Sequence, residues 1–163
     1  MAARSLTNGF FAGSLFFVWK MGVLFLGKQY DWFPQFPAGP LLFLVGVFVF
    51  LSIVRFSDSS STLFDDFKSG ARTALTAALT AGIGVYAYYA WFDPEFMPAR
   101  IQESLDAAKA SGTSPEDLIN AEIQMQKLFS PFTYSTLTVS ATAFFGMAFS
   151  LIVSGLKRAF KVL

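Results

Sequence analysis

Four runs of mostly apolar residues set what this chain can fold into. They cover about 6–26, 40–56, 71–92 and 132–156; the first is interrupted only by Lys20, the second has an apolar core from Leu41 to Val54, and the fourth holds no charged residue. A helix that crosses a bilayer needs about 20 such residues, fewer where the flanks stretch to the interface. Four such runs in 163 residues leave too few polar faces for a soluble bundle. The expected fold is therefore an all-α membrane protein: a single membrane domain over 1–163 with four transmembrane helices.

Composition narrows the chemistry. Only 14 % of residues are charged, against roughly 25 % in soluble domains. There is no Cys and no His, which removes disulfides, the usual zinc and haem ligands and any His-based triad. A net charge of +1 supplies no basic field for nucleic acid. No cofactor and no metal site is expected. The first apolar run follows Arg4 like a signal peptide, but Trp19, Lys20 and Met21 and further Leu and Phe follow in place of a small-x-small cleavage site. It is expected to be a retained first span.

Lys and Arg near span ends stay cytoplasmic. The amino end, the loop between spans two and three and the carboxyl tail hold seven bases: Arg4, Arg55, Lys68, Arg72, Lys157, Arg158 and Lys161. The opposite segments hold four bases and eight of the eleven acids. Both termini are expected in the cytoplasm. Tyr30, Trp32, Tyr86, Tyr88, Tyr89, Trp91 and Tyr134 fall near the outer span ends, where amphipathic rings favour the headgroup layer.

Thr62 with Asp65 three residues on forms a capping-box pattern, so a helix is expected from near Leu63 into span three. The Ser run before it reads as a solvated turn. The polar segment 93–130 should face outward as an amphipathic helical hairpin between spans three and four. Asp93-Pro94 ends span three, because the residue before Pro leaves the helical region. A first hairpin helix is expected over about 99–110, with Gly112 just past its end. A second is expected from Pro115 to about Phe129, with Ser114 as N-cap and Glu116 and Asp117 at the positive end of the dipole. Leu118, Ala121, Met125 and Leu128 share its apolar face, widened by Ile119 and Ile123.

Small residues four apart mark close helix contacts in lipid. Three rows occur: Gly9 and Gly13 in span one; Gly70, Ala74, Ala78 and Gly82 in span three; Thr138, Thr142, Gly146, Ser150 and Ser154 in span four, whose hydroxyls can also bond i−4 carbonyls. They are expected to pack the spans of one chain together, with one row available to a homodimer or a larger membrane-protein partner.

Lys20 is the one ionisable residue inside an expected span, and such residues are functional candidates. It needs a counter-charge: Asp31 or Asp93 at the outer surface, a lipid phosphate, or an anionic substrate. Lys20 and Asp93 are thus candidates for a ligand or lipid-headgroup site, against the plainer expectation that Lys20 snorkels outward and fixes the height of span one. The adjacent acids Asp65-Asp66 and Glu116-Asp117, and the pair Asp93 and Glu95, each have a capping or solvation explanation. No Gly-rich phosphate loop, HExxH or GxSxG is present, so no catalytic residue is assigned and an enzyme is not expected.

The order of these parts resembles the small four-span inner-membrane proteins of Bacteroidota catalogued as domain of unknown function 4199. The likeness lies in a Gly-containing first span, Leu63-Phe64-x-x-Phe67-Lys68-x-Gly70, the aromatic end of span three with Phe92-Asp93-Pro94-Glu95-Phe96, the polar helix pair, and Ser130-Pro131 before span four and a basic tail. It covers nearly the whole chain. It implies a bacterial inner-membrane location and no activity, and Lys20 is not carried over from it. Two functions remain: a non-enzymatic accessory or scaffold protein packed among membrane lipids, or a small lipid- or solute-handling carrier with a polar path along Lys20 and the span-four hydroxyls.

Overall fold

In a computed structural model, residues 2–27, 38–54 and 61–161 are described. Expectations at Lys28, Tyr30, Asp31, Trp32 and Arg55, and for the Ser run over 57–60, fall outside those residues. The described residues form α-helices and one π-helical turn: α1 (Ala2–Phe25), α2 (Ala38–Val54), α3 (Leu63–Ala87), the π turn (Tyr88–Phe92), α4 (Phe96–Ala110), α5 (Pro115–Leu128) and α6 (Pro131–Lys161). Ala3–Phe25 and Pro131–Phe160 are long and apolar enough to cross a membrane, and Gly39–Val54 is apolar but shorter.

The third expected span falls short of the same apolar standard for a local reason. Its helix begins at Leu63, so its first turns carry Asp65, Asp66, Lys68 and Arg72, and its inner face is Ala, Gly and Thr. Those small residues make α3 the centre of the fold. It packs against α1, α2 and α6, and α2 lies against the other three. Gly70, Thr73, Ala74, Ala77, Ala78, Ala81 and Gly82 are all buried, which brings neighbouring backbones close.

Each small-residue row meets a partner in the same chain. A Cβ on Gly9 would collide with the Thr73 carbonyl oxygen, and one on Gly13 would stand 2.6 Å from Thr80 Cβ. A Cβ on Gly70 would lie 2.7 Å from Ser150 Oγ, one on Gly82 would strike Val139, and one on Gly146 would come within 2.5 Å of Ala74 Cβ. Thr142, Ser150 and Ser154 are buried, and the two serines donate to the carbonyls of Gly146 and Ser150, both at 2.7 Å. Thr138 donates to the Tyr134 carbonyl at 2.8 Å. The glycines of these rows thus face neighbouring helices of the same chain.

Hydroxyls fasten one end of the packing. Ser5 Oγ lies 2.7 Å from Ser69 Oγ, Asn8 donates to Ser52 Oγ at 2.8 Å, Ser52 Oγ lies 2.8 Å from Thr73 Oγ1, and Thr73 donates to the Ser5 carbonyl at 3.1 Å. Burial makes each such group need a partner, and here α1, α2 and α3 supply one another's.

Helix ends follow the local chemistry. The Thr62–Asp65 capping box is complete. Gly112 takes φ 86°, and Thr113 and Gly112 donate back to the carbonyls of Ala108 and Lys109, the double bond that closes a helix through a left-handed residue. Ser114 accepts from Asp117 N at 3.2 Å with Pro115 in the first turn. α4 starts three residues before the expected 99, because Pro98 is tolerated in a first turn whose N–H groups have no helical partner. α6 runs on to Lys161, five residues past the expected 156.

Two outcomes test this fold. On α1, Gly9→Ala should destabilise by about 1–3 kcal/mol, the cost of overpacking. Gly22→Ala, where nothing lies within 4 Å, should instead stabilise by roughly 0.5–1 kcal/mol through helix propensity; thermal unfolding in detergent reads both signs. Separately, the Thr62 side chain, then its backbone N–H, hold the Asp65 carboxyl below the ordinary carboxylate range. A depressed folded pKa gives stability that is present above the unfolded value of about 3.9 and lost as pH falls through the folded one. The unfolding midpoint should drop on acidification below about pH 4, and Thr62→Val should lack that part of the drop.

Candidate functional site

The buried ionisable groups collect in two places, one at each end of the packed helices. The first is built on the π turn. Asp93 N donates to the Tyr88 carbonyl at 2.9 Å, an i→i+5 bond, which inserts one extra residue into the turn and rotates the register that follows. Tyr88 and Tyr89, three and four residues after Val85 on the buried face of α3, face inward and are buried, while Tyr86, Trp91 and Phe92 stay exposed. Two of the rings expected at the headgroup layer are thus interior residues. Pro94 then forces Asp93 off the helix, at φ −137° and ψ 61°.

Lys20 comes to this turn from α1. Its Nζ donates to Tyr89 Oη at 3.1 Å and stands 4.3 Å from the centre of the Tyr88 ring. Tyr88 Oη donates to Asp93 Oδ2 at 3.2 Å. Lys20 is 6 % exposed and Asp93 7 %. The two sequence candidates are therefore brought to one cluster, with tyrosines between the ammonium and the carboxylate. The Lys20 ammonium is held by a ring face and a hydroxyl, an arrangement that stabilises a desolvated cation. Tyr89 also packs on Phe96 and Tyr134, with ring centres 5.1 and 5.6 Å away. The cluster joins α1, the π turn, the start of α4 and the start of α6.

Chemically this is a charge-holding cluster. It holds the cation on the Tyr89 hydroxyl and the Tyr88 ring face and the anion on the Tyr88 hydroxyl, and sets no Ser, Thr or Cys nucleophile beside a base among its members. A cleft of about 280 Å³ adjoins it at the base of the hairpin, where Tyr89, Met97, Gln126 and Phe129 meet. Among the described residues no group of three or more acids could hold a metal ion.

The second cluster was missed in the sequence. Asp66, expected to be solvated, is 1 % exposed. Lys157 Nζ reaches its two carboxylate oxygens at 2.9 and 3.0 Å, and Ser61 Oγ donates to it at 2.7 Å. Arg158 donates to the Ser61 carbonyl. A signal was present: Asp66 lies one turn before Gly70 in the row Gly70, Ala74, Ala78 and Gly82, so it shares their buried face. Lys157 follows Ser154 by three residues and continues the α6 stripe in the same way.

The hairpin is the third feature. α4 and α5 pack on each other, α5 touches α6 only near its end, and no residue of α5 is buried. Ile119, Ile123 and Leu128 are exposed.

A family model described as "Protein of unknown function (DUF4199)" matches residues 7–158. No curated protein and no solved structure matches the chain.

The Lys20 cluster makes a thermodynamic prediction. Lys20→Met and Asp93→Asn should each lower the unfolding midpoint in detergent, and the double variant should lose less than their sum, with a coupling on the order of 1 kcal/mol. Lys20→Leu should still insert in membranes, as fractionation checks. Strict additivity would show that the two charges do not sense one another through the tyrosines.

Proposed function

We propose that this chain, which belongs to the family of proteins of unknown function DUF4199, is a non-enzymatic accessory or scaffold protein of a bacterial inner membrane. It crosses four times as a four-helix bundle, keeps both termini cytoplasmic, and presents the α4–α5 hairpin on the outer side to a larger membrane-protein partner. The observation that carries the role is α5 itself: a helix with no buried residue, with Ile119 and Ile123 one turn apart and open to contact and Leu128 exposed on another face. Helices this short are marginal in water unless such a face is covered.

Four crossings are supported by the outward faces. Phe10, Leu15 and Val18 on α1, Phe43 and Phe50 on α2, Leu75, Leu79 and Ile83 on α3, and Phe144, Leu151 and Ile152 on α6 are all exposed. An apolar belt contributed by four helices far exceeds the patches that soluble monomers leave open. Only 33 % of the apolar window in α1 and 28 % of that in α6 is buried, unlike the core helices of a soluble protein. The bias of seven Lys and Arg on one side against four on the other supports the orientation. The carrier alternative gains nothing comparable, since Ser150 and Ser154 spend their hydroxyls on their own helix and Lys20 is enclosed by tyrosines.

The absence of cysteine in the chain makes the test direct. A membrane-impermeant maleimide should label Ser111→Cys in intact spheroplasts, and Leu63→Cys and Ala159→Cys only after lysis. Gentle purification from native membranes should recover a partner in near-stoichiometric amount, lost in Ile123→Asp while the labelling pattern stays. External labelling of Leu63→Cys would overturn the topology. A clean particle containing this chain alone would overturn the accessory role.

A further inference from the structure

The hairpin holds on to the rest of the chain only at its base. In α4 just Phe96 and Met97 are buried, its first two residues, and α5 buries none. The Phe96 ring lies 5.1 Å from that of Tyr89. On the other leg the Phe129 ring, one residue past α5, lies 6.1 Å from Tyr134, which itself stands 5.6 Å from Tyr89. Beyond this seat of rings α4 and α5 pack chiefly on each other. Segments with so few buried apolar contacts are the ones that open locally while the remainder of a protein stays folded.

Both legs break at the same level. Asp93, at φ −137° and ψ 61°, and Phe129, at φ −89° and ψ 65°, leave helical geometry. Pro94 and Pro131 follow one and two residues later and stop the helix ahead of them from running through. A change of dihedral angle at those two places carries α4 and α5 together, as a hinge at the ends of elements carries a rigid body.

What the seat covers is the charged cluster. Tyr89 is 5 % exposed and lines the cleft of about 280 Å³ between the two legs, together with Met97 and Phe129. Its hydroxyl accepts from Lys20 Nζ at 3.1 Å. Tyr89 thus touches the hairpin through its ring and the buried ammonium through its oxygen.

We infer that the α4–α5 hairpin is a hinged lid over the Lys20–Tyr89 cluster, swinging as one body about Asp93-Pro94 and about the segment 129–131. Closed, it keeps the ammonium from water; open, it gives water and dissolved anions a way to it. The inference goes beyond the accessory role and depends neither on a partner nor on the number of membrane crossings.

Lysine acylation tests the lid on the full chain in mild detergent, with the N-hydroxysuccinimide ester of acetic acid and peptide mass spectrometry. In the native chain Lys20 should react far more slowly than the exposed Lys109. Phe129→Ala removes one ring of the seat and no printed contact of Lys20. It should raise Lys20 acylation about tenfold, the shift in an opening equilibrium that loss of a ring pair brings. Lys157, ion-paired with Asp66 in the other cluster, should keep its native rate. Phe129→Leu, the milder change, should give the same pattern with a smaller rise. Hydrogen exchange on these variants should show the amides of 96–128 gaining exchange together while those of α1 and α3 hold. Lys20 acylation as fast as that of Lys109 in the native chain, or unchanged in both variants, overturns the lid. A parallel rise at Lys20 and Lys157 overturns it as well, since it reports a general loosening, and a gain of exchange confined to α5 overturns the swing as one body.

Discussion

Everything in this structure depends on how closely other helices can approach α3. Its inner face carries little beyond hydrogen, methyl and hydroxyl groups from Gly70 to Gly82, so α1 and α6 reach its backbone and α2 closes over the seam. In a soluble core, large apolar side chains interlock and leave water together. On α3 the large side chains Leu75, Leu79 and Ile83 point outward, and the contact that remains on its inner face is van der Waals packing between close-set helices, the means by which helices associate in lipid. The glycines of α1 and α6 are the counterpart of that choice. Gly9 and Gly13 admit the α3 backbone, and Gly146 admits Ala74. With those glycines facing neighbouring helices, contact with another protein is assigned to the hairpin.

Close packing of smooth helices leaves their register poorly fixed, since one turn of an Ala-rich face resembles the next. The polar contacts supply the missing specification. At one end Asp66 and Lys157 tie α3 to α6, and Ser5, Ser52, Ser69 and Thr73 tie α1 and α2 to α3. At the other end Lys20 and the π-turn tyrosines tie α1 to α3. A buried ion pair adds little net stability over a well-packed apolar pair, but breaking it leaves a buried charge and costs about 3–5 kcal/mol. A one-turn slip of α6 along α3 would do that at Lys157, so the pair penalises the wrong register more than it stabilises the right one.

What the sequence made legible follows from the range of each interaction. Helix positions, the Thr62 capping box, the Ser114 cap and the Gly112 stop are set by residues within a turn of one another, and each can be read locally. The small-residue rows were legible because i+4 spacing marks a face, although not which helix would meet it. The π turn was not legible: nothing in Tyr88-Tyr89-Ala90-Trp91-Phe92 distinguishes a helix of five-residue reach from one of four until the neighbours to be satisfied are known. Tyr88 and Tyr89, expected as rim residues, follow Val85 by three and four positions and so continue the buried face of α3. The Lys157–Asp66 pair lies 91 positions apart, beyond any local pattern, and only the continuation of two faces hinted at it.

An open cleft between α2 and α6 is the cost of the same design. Glycines let backbones approach, but a glycine away from the line of contact leaves a trough. Gly46 lies beside its helix crossing, with the Phe149 ring as the nearest neighbour to a Cβ it lacks. Filling that trough with protein would take a bulky residue at position 46 or 148, and neither Gly46 nor Ala148 offers one. An apolar trough in a soluble protein would collapse or stay dry and cost dispersion contacts along its walls. In a bilayer the surrounding hydrocarbon can restore those contacts, so the sequence carries little pressure to close the space.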